Sequence, residues 1–150
     1  MARNETVVQA SPDEVYAVLA DGWAYVDWVV GCQKIRAVDE GFPAVGKAFH
    51  HRVGLIGPLT VADNTEVVEA EPGRRLVLQA RARPMGTAKV TLELEPFGQG
   101  TRVTIDESAG DLLSRLTSFN PLVDPLVKLR NVESLRRLKV LAEKRHFAAA

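Results

Sequence analysis

The last third of the chain contains one stretch, Asn120 to Arg145, that is long and rich in good helix formers and therefore predicts a single long helix. Two pairs near its beginning, Asn120-Pro121 and Asp124-Pro125, each combine a capping side chain with a residue whose missing N–H costs nothing in a first helical turn. The helix is expected to begin at one of these pairs, or to begin at the first and bend at the second.

The two sides of this helix differ along its length. At about 100° per residue, one side carries a stripe that is expected to lie against a sheet: Val123, Val127, Asn131, Ser134, Leu135, Leu138, Leu141 and Ala142. The other side carries Leu122, Leu126 and Leu129, so the first half of the helix is apolar nearly all round. Such a half needs a second apolar partner: a loop, another subunit of a homodimer, or a ligand.

The region from Gln33 to Ser108 has a pattern typical of a β-sheet. Segments in which apolar and polar residues alternate recur between turn-forming residues, and they predict six strands. The clearest strand runs from Thr87 to Glu95, where every second residue is apolar. One face is then buried and the other is in water, as in an antiparallel sheet covered on one side.

Three further elements precede this region. Thr6 to Ala10 predicts an opening strand, the capping-box sequence that begins at Ser11 predicts a short helix, and Trp23 to Val30 predicts a second short helix. The chain is thus expected to form one α+β domain over residues 1–150, in which a curved seven-stranded antiparallel sheet wraps on the C-terminal helix, with two short helices between strands 1 and 2. A concave, apolar space between sheet and helix is where a small ligand would bind.

Composition excludes several classes of function. The 19 basic residues balance the 19 acidic ones without a basic run, which argues against nucleic-acid binding. Cys32 is the only cysteine, so a disulfide within the chain and a cysteine-rich metal site are excluded. The sequence shows neither a signal-peptide pattern nor an apolar run of about 18 residues, and a cytoplasmic protein is expected.

Metal, cofactor and nucleophile motifs are also missing. His50 and His51 are adjacent, so on a strand they face opposite ways, and the third histidine, His146, lies near the C-terminus. The sequence contains no nucleophile elbow and no glycine-rich phosphate loop after a strand. We therefore expect no metal and no cofactor.

A few polar residues are candidates for chemistry in the predicted cavity. Strand parity turns His51 inward beside Phe49, and an inward histidine is either a proton carrier or a hydrogen-bonded wall residue. Asp63 faces the same side if Val61 does, and would then orient and charge His51; alternatively, this stretch is a β-bulge or an edge. Glu107 has inward parity at a strand end, where exposure is the alternative. The predicted catalytic set is thus His51, Asp63 and Glu107.

The predicted ligand wall consists of side chains with inward parity or in the helices around the space. Arg81 and Arg83 alternate with Ala80 and Ala82, and we expect the alanines to face inward; the reverse would suggest a ligand with a carboxylate. Residues 110–119 are either a mobile gate or an amphipathic turn. The wall is expected to contain Trp28, Phe49, Thr65, Leu78, Ala80, Val90, Leu92, Ile105, Leu113, Phe119, Leu122 and Leu126.

Three motifs carry a resemblance to a known superfamily: SPDEVYAVLAD after the first strand, EPGRRL in the middle hairpin and RNVESLRRLKVLAE in the final helix. The chain resembles the SRPBCC superfamily (START-related, birch-pollen-allergen-like), and within it the bacterial polyketide cyclase/dehydrase and lipid-transport branch. This resemblance implies a helix-grip fold with a hydrophobic cavity, in which members bind lipids, hormones or polyketides and a minority catalyse cyclisation or dehydration.

Three hypotheses of function follow from these patterns. The first is binding, including transport, of a small hydrophobic ligand such as a lipid or a polyketide. The second is a polyketide cyclase or dehydratase with His51 as proton carrier. The third is a protein-interaction or stress-related module, in which the extra apolar side of the long helix binds a partner chain.

Overall fold

The computed structural model describes residues 2–56, 59–83, 86–109 and 123–149. It confirms the predicted α+β architecture, with a seven-stranded antiparallel sheet in the order β1-β7-β6-β5-β4-β3-β2 and a long C-terminal helix. The elements are β1 (Ala2–Val8), α1 (Pro12–Leu19), a 3₁₀ turn (Gly22–Ala24), α2 (Tyr25–Trp28), β2 (Cys32–Val38), β3 (Ala48–Ile56), β4 (Leu59–Glu71), β5 (Arg75–Ala82), β6 (Gly86–Phe97), β7 (Gly100–Ala109) and α3 (Val123–Ala149).

The opening strand begins earlier than the alternation at Thr6 to Ala10 predicted. Strand β1 pairs with β7 from Ala2 to Val8, so the ladder supplies hydrogen bonds even where polar side chains interrupt the apolar pattern. The capping box of α1 is present as predicted: Ser11 Oγ accepts from the Glu14 N–H, and Glu14 Oε1 accepts from the Ser11 N–H at 3.0 Å.

The second short helix is divided. The chain forms the 3₁₀ turn first, and α2 ends when Val29 becomes extended. Tyr25 fixes this segment, because its hydroxyl donates to the Leu19 carbonyl at 2.7 Å and its ring lies 4.3 Å from that of Phe49. Helix α2 is thereby held against the concave face of the sheet.

Register irregularities bend the sheet. They occur twice between β2 and β3, once between β3 and β4 near Gly54, and once between β4 and β5 between Val67 and Glu69. An irregularity of this kind bends the strand and increases its twist. The alternative prediction, in which a β-bulge turns Asp63 away from the cavity side, is wrong. The bulge of β4 lies between Val67 and Glu69, and Asp63 directly opposes His51 in the β3–β4 ladder.

Helix α3 covers the sheet with one of its sides. The buried members of its predicted stripe are Asn131, Ser134, Leu135, Leu138 and Ala142. They join a core formed by α1 and the inner faces of β1, β4, β5, β6 and β7, in which Val8, Val15, Leu19, Val67, Leu76, Leu92 and Val103 are fully buried. The predicted start at Asn120 lies outside the described residues. In the described part of the chain, no helix is long and apolar enough to span a membrane.

Candidate functional site

A mostly apolar cavity of about 310 Å³ lies between the concave face of the sheet, helix α2 and the first half of α3. The sheet side of its wall comes from strands β3 to β7. Of the predicted ligand residues, those that line it are Trp28, Phe49, Thr65, Leu78, Ala80, Val90, Leu92 and Ile105. His51 and Glu107 line it as well.

Small side chains keep this space open. Ala80 opposes Ala88 across the β5–β6 ladder, and Ala82 opposes Gly86. All four residues line the cavity. Ala80 and Ala82 therefore face the cavity, as expected from the sequence. Larger side chains at these positions would reduce the cavity volume.

His51 is a buried residue of the cavity wall. It is 4% exposed, and its Nε2 lies 3.0 Å from Thr65 Oγ1. Burial lowers the pKa of this imidazole, and the nearby carboxylate of Asp63 opposes that effect only in part. His51 is therefore neutral at pH 7, and its Nδ1 has no hydrogen-bond partner among the described residues.

Asp63 does not orient His51, and the predicted pairing of these two side chains is corrected. Arg83 holds both carboxylate oxygens: its backbone N–H and Nε donate to Oδ2 at 2.8 and 3.1 Å, and Nη2 donates to Oδ1 at 2.8 Å. Burial would raise the pKa of Asp63, but the hydrogen bonds from Arg83 lower it to about 2. The carboxylate is thus already satisfied, and Asp63 is not among the residues that line the cavity.

Glu107 is engaged in a different way. Arg130 of α3 donates through Nη2 to both of its carboxylate oxygens, and both residues line the cavity. The side chain of Glu107 is 14% exposed, against 40% for Arg130. The pair joins α3 to β7 and carries no net charge.

Arg81 and Arg83 do not form a cationic subsite in the cavity. Arg81 belongs to the wall, but its Nη1 donates to Asn64 and Glu66 on the outer face of β4. Arg83 is bound to Asp63. The alternative in which two free arginines point into the pocket is therefore corrected.

Two further buried side chains of the wall carry donors that no described residue engages. Trp28 and Asn131 are each 2% exposed. Within the described ranges, no group accepts from Trp28 Nε1 or from Asn131 Nδ2. A buried donor that lacks an acceptor costs free energy, and a molecule in the cavity is well placed to supply one.

The sequence signals missed part of this wall. Asn131 and Ser134 were placed on the sheet-facing stripe as exceptions to its apolar character, and polar residues in such a stripe are the signal that a cavity, rather than core, lies beneath. Arg130 lies one residue off that stripe, and no sequence pattern connects it to Glu107. Val29, Val30, Cys32 and Val53 also line the cavity, and they were not among the predicted ligand residues.

The prediction that Leu126 contributes to the ligand wall is wrong. Leu126 is 65% exposed and Leu129 is 68% exposed, and neither lines the cavity. The helix turns both side chains away from the sheet, because its buried stripe lies on the other side. Leu113, Phe119, Leu122 and the whole segment 110–119 lie outside the described residues.

Metal-binding groups do not converge in the described part of the chain, where no three His, Cys, Asp or Glu side chains lie close enough to hold an ion. His50 pairs with Asp39 at 3.0 Å, and His146 pairs with Glu14 at 2.7 Å. Cys32 lies in the cavity wall, and burial raises the pKa of its thiol to about 11.

Comparison with known proteins relates the chain to a family. The family model described as polyketide cyclase / dehydrase and lipid transport matches residues 2–143. None of the curated protein sequences matches the chain significantly.

Solved structures share the fold at low sequence identity. Protein CV1439 from Chromobacterium violaceum is 24% identical with a TM-score of 0.68, and the match covers 94% of this chain and 96% of that protein. The di-domain ARO/CYC StfQ from the steffimycin biosynthetic pathway is 15% identical with a TM-score of 0.72, over 96% of this chain and 50% of StfQ. A protein of unknown function from Staphylococcus aureus is 8% identical with a TM-score of 0.73, over 97% of this chain and 94% of that protein.

Proposed function

Since this chain belongs to the polyketide cyclase / dehydrase and lipid-transport family, we propose that it binds a small hydrophobic molecule, such as a lipid or a polyketide, in the cavity between its sheet and α3. The single observation that supports this proposal is the apolar cavity of about 310 Å³. Cavities of roughly 300–1,000 Å³ with apolar walls and a few polar groups are typical of small-molecule sites.

The arrangement of the walls fits a binding role. Large apolar side chains such as Leu78, Leu92 and Ile105 surround the space, while the facing Ala80 and Ala88 leave it unfilled. Filling an internal space with side chains would stabilise the fold, so an open space is kept at the expense of stability. A bound apolar molecule would recover the lost contacts.

Native mass spectrometry after incubation with lipid and polyketide extracts tests the proposal. The wild-type protein should retain one small molecule. Ala88→Phe places a large ring in the cavity wall and should abolish retention, whereas Ala62→Phe on the exposed outer side of β4 is the matched control and should not. Retention of nothing by the wild type, or equal retention by both variants, would contradict the proposal.

A second candidate function is a cyclase or dehydratase in which His51 carries a proton. The observation in its favour is the neutral, buried imidazole in the cavity wall, with an Nδ1 that no described residue engages. An enzyme would change the mass or absorbance of the retained ligand with time. His51→Gln should then still retain the ligand without changing it, and a wild-type protein that returns every ligand unaltered argues for binding alone.

A further inference from the structure

Among the described residues, each charged side chain of the cavity wall is paired with a group of opposite charge. In the described part of the chain, the formally charged residues that line the cavity are Arg81, Glu107 and Arg130. Arg81 is held by Glu66 and Asn64 on the outer face, and Arg130 is held by Glu107. The wall is thus apolar and electrically balanced, although it contains two arginines.

A carboxylate in this cavity would meet an unfavourable arrangement. A carboxylate that reached the guanidinium of Arg130 would either displace Glu107, whose side chain is 14% exposed, or share this one cation with it. To stay elsewhere, it must remain unpaired among apolar side chains, close to a carboxylate of the same sign. Both alternatives bury an uncompensated charge, which is strongly unfavourable.

The remaining polar groups fit an uncharged oxygen. Trp28 Nε1 and Asn131 Nδ2 are donors only, and the neighbouring described residues give neither an acceptor. His51 adds no cation, because burial lowers its pKa and leaves it neutral at pH 7. A carbonyl or hydroxyl oxygen would satisfy these donors without bringing a charge into the cavity.

We propose that Glu107 is a specificity-determining residue: by neutralising Arg130 in the cavity wall, it makes the site select uncharged molecules that carry an oxygen acceptor and reject carboxylates. This inference rests on the proposed binding function. It gives Glu107 a role that differs from the catalytic role suggested by its inward parity, since the residue acts through the charge of Arg130 and not on reacting atoms.

Four naphthalene probes that differ only in one substituent at the same ring position test the inference: isopropylnaphthalene, methyl naphthyl ketone, naphthoate and naphthylmethylammonium. Affinities are measured by calorimetry at pH 7 and constant ionic strength. For the wild type, the ketone should bind most tightly, and naphthoate should bind at least about tenfold more weakly than the ketone. The ketone should also exceed the hydrocarbon, and Trp28→Phe should reduce that difference.

Two substitutions should change the charge preference in opposite directions. Glu107→Gln frees Arg130, so naphthoate should gain at least about tenfold relative to the ketone. Arg130→Gln leaves Glu107 without its partner, so naphthylmethylammonium should gain relative to the ketone. Glu133→Gln is the matched control, because Glu133 pairs with Arg136 and Arg137 on the outer side of α3 and should alter no preference.

The outcomes separate this inference from the proposed function. If no probe binds, the isopropyl compound included, the binding function itself fails. If the hydrocarbon and the ketone bind but naphthoate binds equally well, or if both charge-removing variants keep the wild-type order, the role of Glu107 is overturned. Equal binding of ketone and hydrocarbon would overturn the selection of an oxygen acceptor. The wild-type series alone decides the charge preference if a variant does not fold.

Discussion

The two halves of α3 differ in how they contact the rest of the molecule. In the second half, Leu138 and Ala142 are buried against the core. In the first half, Leu126 and Leu129 are exposed and the residues nearest the sheet line a cavity. One helix therefore stabilises the fold at one end and forms a binding surface at the other.

Polar contacts show the same difference. The second half is fastened at several points: Lys139 donates to the Val7 carbonyl at 2.9 Å, the Gln9 N–H donates to Glu143 at 2.8 Å, and His146 pairs with Glu14. Between the first half of the helix and the sheet, the described residues provide the Glu107–Arg130 pair. The Val30 N–H also donates to Ser134 Oγ at 3.0 Å, so the cavity end of the helix is fastened at fewer points than the packed end.

The largest effect is expected at the packed end. Leu138→Ala removes a fully buried side chain and leaves a hole, so the free energy of unfolding should fall by about 2–5 kcal/mol. Val90→Ala in the cavity wall, where the side chain is only partly buried, should cost about 1 kcal/mol or less. Urea unfolding of both variants measures the difference, and equal losses would show that the two ends are equally packed.

An intermediate effect is expected from Asp63, beside the cavity end of the sheet. Arg83 holds its pKa at about 2, below the ordinary 3.8, so the pair stabilises the fold above pH 3.8 and this contribution is lost as the pH falls toward 2. Asp63→Asn removes the ion pair and should lower the free energy of unfolding by about 1–2 kcal/mol at pH 7. The loss is no larger because the Arg83 side chain is exposed, and solvent weakens its interaction with Asp63. The difference between wild type and variant should shrink between pH 4 and pH 2 in urea unfolding; a constant difference would mean that the ion pair contributes nothing.

The smallest effect is expected on the exposed side of the first half of α3. Leu126→Ala removes a side chain that is 65% exposed, so the free energy of unfolding should change by less than about 0.5 kcal/mol. Probe affinity should also stay unchanged, since Leu126 does not line the cavity. A loss of either would show that this side chain has a partner, and light scattering of both proteins would reveal whether that partner is a second copy.

The sequence predicted the fold well because the elements carry strong local signals. The capping box at Ser11, the alternation from Thr87 to Glu95 and the stripe through Leu135 and Leu138 each specify one element and its buried side. Element ends were less predictable: β1 begins at Ala2 because β7 supplies its ladder, and no local pattern records that pairing.

The residues of the candidate site were predictable only where the alternation of side chains along a strand determines which of them face the cavity. Parity placed His51, Thr65 and Ala80 in the wall. It could not show that Arg83 would bind Asp63, because that contact depends on where β5 ends. It also could not pair Glu107 with Arg130, which belong to elements far apart in sequence and meet only when α3 crosses the sheet.

The position of the single cysteine has a consequence for labelling experiments. Cys32 lies in the cavity wall, and burial raises its thiol pKa to about 11, so little of the reactive thiolate is present at pH 7. Alkylation at this position should be slow in the empty protein and slower still when a molecule fills the cavity. The rate of alkylation would therefore report the fraction of cavities that are occupied.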